Sequence, residues 1–282
     1  MPTAREVDGA YLKLARAVHH IDDLRQKIDA YLSSRPFKLV AHIRRKANEI
    51  GYRVKTEKPI PSEFAVIIGD AIHNLRAALD VMLYALASAR APSKENIQFP
   101  FPKKEADSAL EGAINSGQAK FAGDMVVEAI KRINPRASTN PILHGLHALD
   151  VRDKHQLLIV SRGVANLTGS TLNPLVGGDG PLNVQLPGGG TARMHVGHGA
   201  SIIMDVPDNK DILKVAKTFR LRDLPDTQED APIQPVFVII FAKGQAFGGG
   251  AVLVTLERAA EAVRAALDQM VIGYLDPANK VP

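Results

Sequence analysis

The sequence predicts an α+β fold on a helical core, because three textures follow one another along the chain. Apolar residues recur at three- and four-residue steps through the first part, short apolar segments separated by Gly, Pro, Asn and Asp fill Val160 to Leu256, and an amphipathic stretch follows. The helices on either side of the β-rich part would otherwise belong to one bundle. The expected unit is therefore a single α+β domain over 1–276, with a helical core at about 1–158 and 255–274 and a β-rich insertion at about 159–254.

The elements follow in order. Val7, Tyr11, Leu14, Val18, Ile21, Leu24, Ile28 and Tyr31/Leu32 define a long N-terminal helix from about Glu6 to Leu32. After Pro36, PFKLVAHIR and GYRVKTE alternate around NEIG as a β-hairpin that leads into the turn KPIP. Ser62, as a capping hydroxyl, and the early acid Glu63 open a central helix that reaches about Ala89, before Pro92. Phe64, Ile68, Ile72, Leu75, Leu79, Leu83 and Leu86 form one stripe of this helix, and Ile67, Ala71, Ala78, Val81 and Ala85 make the rest apolar too, so it should be buried on most sides.

The segment IQFPFP suits an edge strand or a turn, and a polar helix-like stretch runs from Ala106 to Ile133. A third helix is expected from about Ile142 to His155, changing to a strand in QLLIVSRGV. Within the antiparallel sheet that follows, QPVFVIIFA should be the central strand and AVLVTL another, and ERAAEAVRAALDQMVIGYL should be the closing helix.

Composition narrows the chemistry. With 45% hydrophobic and 23% charged residues over 282 positions, the balance is that of a globular chain able to bury a sizeable core. No cysteine is present, which removes thiolate nucleophiles and Cys-ligated zinc. The longest apolar run, Pro235 to Ala242, is too short to cross a bilayer, and MPTAREVDGAYLKLARAV lacks the continuous apolar core of a secretion signal; no membrane contact and a cytoplasmic location are expected. The formal charge of +5 permits contact with nucleic acid. The densest cluster is Arg44, Arg45 and Lys46 with Arg53, Lys55 and Lys58, and by itself it reads as a solvated hairpin face.

Polar chemistry concentrates on two apolar helices. His73, Arg76 and Asp80 stand at steps of three and four on the central helix, and His147, Asp150 and Lys154 repeat that spacing on the third, with His155 close behind. Charges inside so apolar a pair must find partners, and antiparallel apposition would set Arg76 against Asp150 and Asp80 against Lys154 or His147. Such a network either fixes helix register or lines a cleft in which an imidazole is the acid/base and Arg76 or Lys154 binds an anion.

His144, His147 and Asp150 fall at steps of three, but the zinc pattern of two His at i and i+4 with an intervening Glu is missing, and no metal or other cofactor is expected. His195 and His198 read as hairpin residues. The runs VGGDG, PGGG and FGGGA lack the phosphate-loop and dinucleotide-binding spacings, and no Gly-x-Ser-x-Gly elbow occurs.

The strings IIGDAIHNLRAALDVMLYAL, NIQFPF and LHALDVRDKHQLLIV, over roughly residues 60 to 160, resemble a widespread family of uncharacterised bacterial proteins with IHNLRxALD and LHxLDxxDKH segments. That resemblance implies signature positions at His73, Asn74, Arg76, Asp80, His147, Asp150, Asp153, Lys154 and His155. More distantly, two long helices with polar residues midway are similar to the HEPN superfamily of helical bundles, which includes many toxin and defence ribonucleases. The HEPN spacing of an Arg, four to six residues and a His is not met by Arg152 and His155, which two residues separate.

The expected function is an HEPN-like protein that acts on or binds RNA or a phosphate-bearing small molecule. In that reading Arg76 and Lys154 are anion ligands, His73, His147 or His155 is the acid/base, and Asp80 and Asp150 are the carboxylates beside them. Two other readings stand beside it: a binding or assembly protein, such as a homodimer, with a purely structural network, and a metal-dependent hydrolase using His and Asp.

Overall fold

A computed structural model of the chain describes residues 4–44, 49–154, 158, 160–165, 182–185, 191–194, 204–205, 211–216, 227–228 and 236–280. The fold is α+β, as the sequence predicts. Its helices are α1 (Ala4–Ser33), α2 (Glu63–Ala87), α3 (Asp107–Ser116), α4 (Asp124–Ile133), α5 (Pro141–Asp153) and α6 (Val252–Leu275), with a short 3₁₀ turn at Ala119–Ala122.

Helix α1 turns Ala10, Leu14, Ala17, Ile21, Leu24, Ile28 and Tyr31 to the core at alternating steps of four and three. The expected stripe shifts by one residue: Ala10 and Ala17 face inward, while Val18 is left exposed. Small residues there let α1 lie close to α2, the helix it packs on most extensively. Helix α2 is buried on most sides, as its composition requires. Ser62, however, has a helical backbone and its hydroxyl makes no capping bond; a true cap occurs at α5, where the Asn140 side chain accepts from the Leu143 N–H ahead of Pro141.

The stretch 106–133 is two helices. Gln118 at φ 57° and Gly123 at φ 110° break it, because left-handed backbone cannot continue an α-helix. IQFPFP forms no regular strand; it lies across α2 in a manner described below.

Among the described residues nine strands form two sheets: β1 (Phe37–Arg44), β2 (Glu49–Thr56), β3 (Val160–Ala165), β4 (Leu182–Gln185), β5 (Thr191–Met194), β6 (Met204–Asp205), β7 (Asp211–Ala216), β8 (Thr227–Gln228) and β9 (Val236–Phe241). The larger has the order β5-β4-β7-β2-β1-β8, and the smaller β6-β3-β9. The N-terminal hairpin is present, paired from Phe37↔Thr56 to Arg44↔Glu49, so the second strand begins at Glu49, and Glu49 and Ile50 belong to it and not to the turn. It also pairs with β7 and β8, so strands remote in sequence share its sheet.

Two strand expectations are corrected. Among the described residues β9 sits at the end of its sheet; its apolarity reflects Ile239, Ile240 and Phe241 buried in the core, with β9 against α6, not a central place in a sheet. AVLVTL is no strand beyond an isolated bridge at Ala251: Val252 and Leu256 continue into Ala259 and Val263 as the buried stripe of α6.

Candidate functional site

The stripe on α2 meets the stripe on α5, but the partners differ from those the spacing suggests. Arg76 pairs along its own helix with Asp80, and Asp150 pairs with His73 and Lys154. The network therefore has an inner and an outer half.

The inner half is a clamp. Arg76, 6% exposed, donates from Nε to His147 Nδ1 at 3.4 Å and from Nη2 to the Phe99 carbonyl at 3.4 Å. The Phe99 N–H in turn donates to Asp80 Oδ1 at 2.8 Å. Pro100 and Pro102 bring no N–H to this segment, which forms no strand, and α2 side chains satisfy both backbone groups of Phe99. The Arg76 guanidinium lies 4.7 Å from the Phe101 ring centroid, and Phe101 stacks on His147 at 4.4 Å with 6° between planes.

Burial, reinforced by the Arg76 charge and opposed by Asp150, pulls His147 down to about 4. The ring is neutral at pH 7, and because its Nδ1 accepts from Arg76 the proton sits on Nε2.

The outer half faces water. The Asp150 side chain is 3% exposed, whereas those of His73 and Lys154 are 58% and 55% exposed. Asp150 Oδ1 lies 3.3 Å from His73 Nδ1, and Oδ2 accepts from Lys154 Nζ at 2.7 Å. A carboxylate so placed favours the His73 tautomer with the proton on Nδ1, leaving Nε2 as a basic atom. Next to it, Asp153 packs on Gly69, and burial together with Asp150 and Asp70 raises its carboxyl above the usual range.

No family model, curated protein or solved structure matches the chain. The site must therefore be judged on its own geometry.

Of the seven expected site residues, six meet in this network, and His155 lies outside the described residues, as do His195 and His198. Among the described residues no three His or carboxylate side chains converge as metal ligands. Phe99 and Phe101 are the members that spacing did not single out; their signal was the pair of prolines in an apolar segment next to a helix rich in unmatched charge. An open groove between α1 and α6, lined by Leu14, Val18, Ile21, Arg25, Glu257 and Ala260 among others, contains none of these residues.

Proposed function

We propose that the chain acts on or binds RNA or another phosphate-bearing ligand at the outer half of the α2–α5 network, with His73 as acid/base, Asp150 as the carboxylate that orients it, and Lys154 as the anion ligand. One observation carries the reading: a solvent-facing imidazole and a solvent-facing ammonium share a single buried carboxylate. A buried carboxylate fixes the orientation of the ring, and an adjacent cation attracts the negative ligand whose proton the ring would move. An HEPN-like descent, with two helices presenting polar residues midway, is part of the same proposal.

Arg76, Asp80 and His147 fit the structural reading better than the catalytic one, because Arg76 is buried and its nitrogens face Asp80, His147 and Phe99. In this proposal they hold α2, α5 and the Phe99 segment in place. Incubating the chain with short RNA and following cleavage tests the assignment. His73→Ala should lower the rate about 100-fold or more while melting remains cooperative, and Lys154→Ala should weaken binding of inorganic phosphate. Arg76→Ala should instead destabilise the protein by about 3 kcal/mol or more. Full activity in folded His73→Ala would end the proposal.

A further inference from the structure

The basic cluster of the hairpin has no part in the helix site, and its place in the sheet gives it a second meaning. In the β1–β2 register, the pairs Lys38↔Lys55, Val40↔Arg53, His42↔Gly51 and Arg44↔Glu49 fall on one face, alternating with Phe37↔Thr56, Leu39↔Val54, Ala41↔Tyr52 and Ile43↔Ile50 on the other. Phe37 and Val54 are buried in the core, whereas Lys38, Arg53 and Lys55 are exposed, which makes the first of these the outer face at this end of the sheet.

Pairing carries that face across the other strands. Lys214 on β7 stands beside Gly51, Gln185 on β4 beside Lys214, Thr191 on β5 beside Gln185, and Thr227 on β8 beside His42. One line across all six strands thus reads Thr191, Gln185, Lys214, Gly51, His42, Thr227. Arg193 falls on the same face through Asn183. The face holds six basic positions, Lys38, Arg44, Arg53, Lys55, Arg193 and Lys214, against Glu49 and Asp211 within the strands. Glu57, just past β2, pairs with Lys55 at 3.0 Å, an exposed pair that a phosphate can compete for.

We propose that this face of the six-stranded sheet binds single-stranded nucleic acid through its phosphate backbone. The sign of the charge selects a polyanion, and the amides and hydroxyls between the cations suit phosphate and sugar oxygens. Six strands span about 24 Å, enough for several nucleotides. The line across the strands offers no large apolar residue to enter a bilayer, which argues for a strand of nucleic acid over a lipid surface. Few aromatic positions lie on this face, so binding is led by charge and tolerant of sequence. The inference does not rest on the helix site.

Fluorescence anisotropy with a labelled oligouridylate of about 20 nucleotides tests it. The triple variant Lys38→Gln, Lys55→Gln, Lys214→Gln should bind at least about tenfold more weakly at about 0.1 M salt and lower the slope of log affinity against log salt by about 2. Asp211→Asn, which removes an acidic position without removing a strand residue, should tighten binding. The proposal is overturned if the unaltered chain fails to bind at about 0.05 M salt, if both charge variants bind as it does, or if phosphatidylserine vesicles are retained and the oligonucleotide is not.

Discussion

His147 shows how one side chain can register its surroundings. Held down to about 4 by burial and by Arg76, it stays neutral in the folded chain, while in the unfolded chain it takes up a proton as the pH falls below its usual 6.5. The contribution of His147 to stability should therefore be lost as the pH falls from about 6.5 to about 4. The loss is about 1–2 kcal/mol, discounted because the ring is only partly buried. Desolvation lowers His20 as well and adds in the same direction. Urea midpoints measured between pH 7 and 4 should fall more steeply for the natural chain than for His147→Gln. The sequence revealed which residues would gather at this point, because charge on an apolar helix must be compensated. It did not reveal who pairs with whom, since spacing gives the face of a helix but not the rotation of its neighbour: Arg76 chose Asp80 over Asp150.

At the scale of elements, the long helices were legible because their apolar period persists over many turns, as in α1 and α2. The broken stretch 106–133 was not, because its break depends on the backbone of Gln118 and Gly123, which leaves the apolar pattern unchanged. AVLVTL misled for a related reason: a short β-branched run reads alike as a strand or as the first turns of a buried helix. Glycines within helices make a sharper test of packing. A Cβ at Gly273 would meet the Met125 carbonyl oxygen at 2.7 Å, so Gly273→Ala must push α6 off α4 and should cost about 1–3 kcal/mol. At Gly112, exposed within α3, nothing lies within 4 Å, and Gly112→Ala should stabilise by about 0.5–1 kcal/mol. Thermal melts of the two variants should move in opposite directions.

For the whole molecule, the α+β class was readable from texture, but the joining of the hairpin to strands beyond residue 180 was not, because strand partners far apart in sequence leave no local mark. The smaller sheet is tied to the helices through Phe241, fully buried at the end of β9 and 6.2 Å from Phe247, whose ring in turn covers Gly145 of α5. Phe241→Ala should cost about 3–5 kcal/mol, and the loss should be shared by sheet and helix signals in one transition if the two unfold together. Circular dichroism and near-ultraviolet absorbance followed through the same denaturation will show whether the midpoints coincide.

Helices α1 and α6 meet across nearly the full span of the chain: Tyr11 donates to Asp268 at 2.6 Å, and Arg25 pairs with Glu257. During synthesis α1 and α2 can associate early as neighbours, but the seam that receives α6 stays open until residues 252–275 have been made. Leu14 and Ile21, which line that seam, are then wetted in a half-finished bundle. Closing a loop of this length makes the final docking slow relative to helix formation. Until α6 arrives, that apolar seam is open to aggregation and to capture by chaperones.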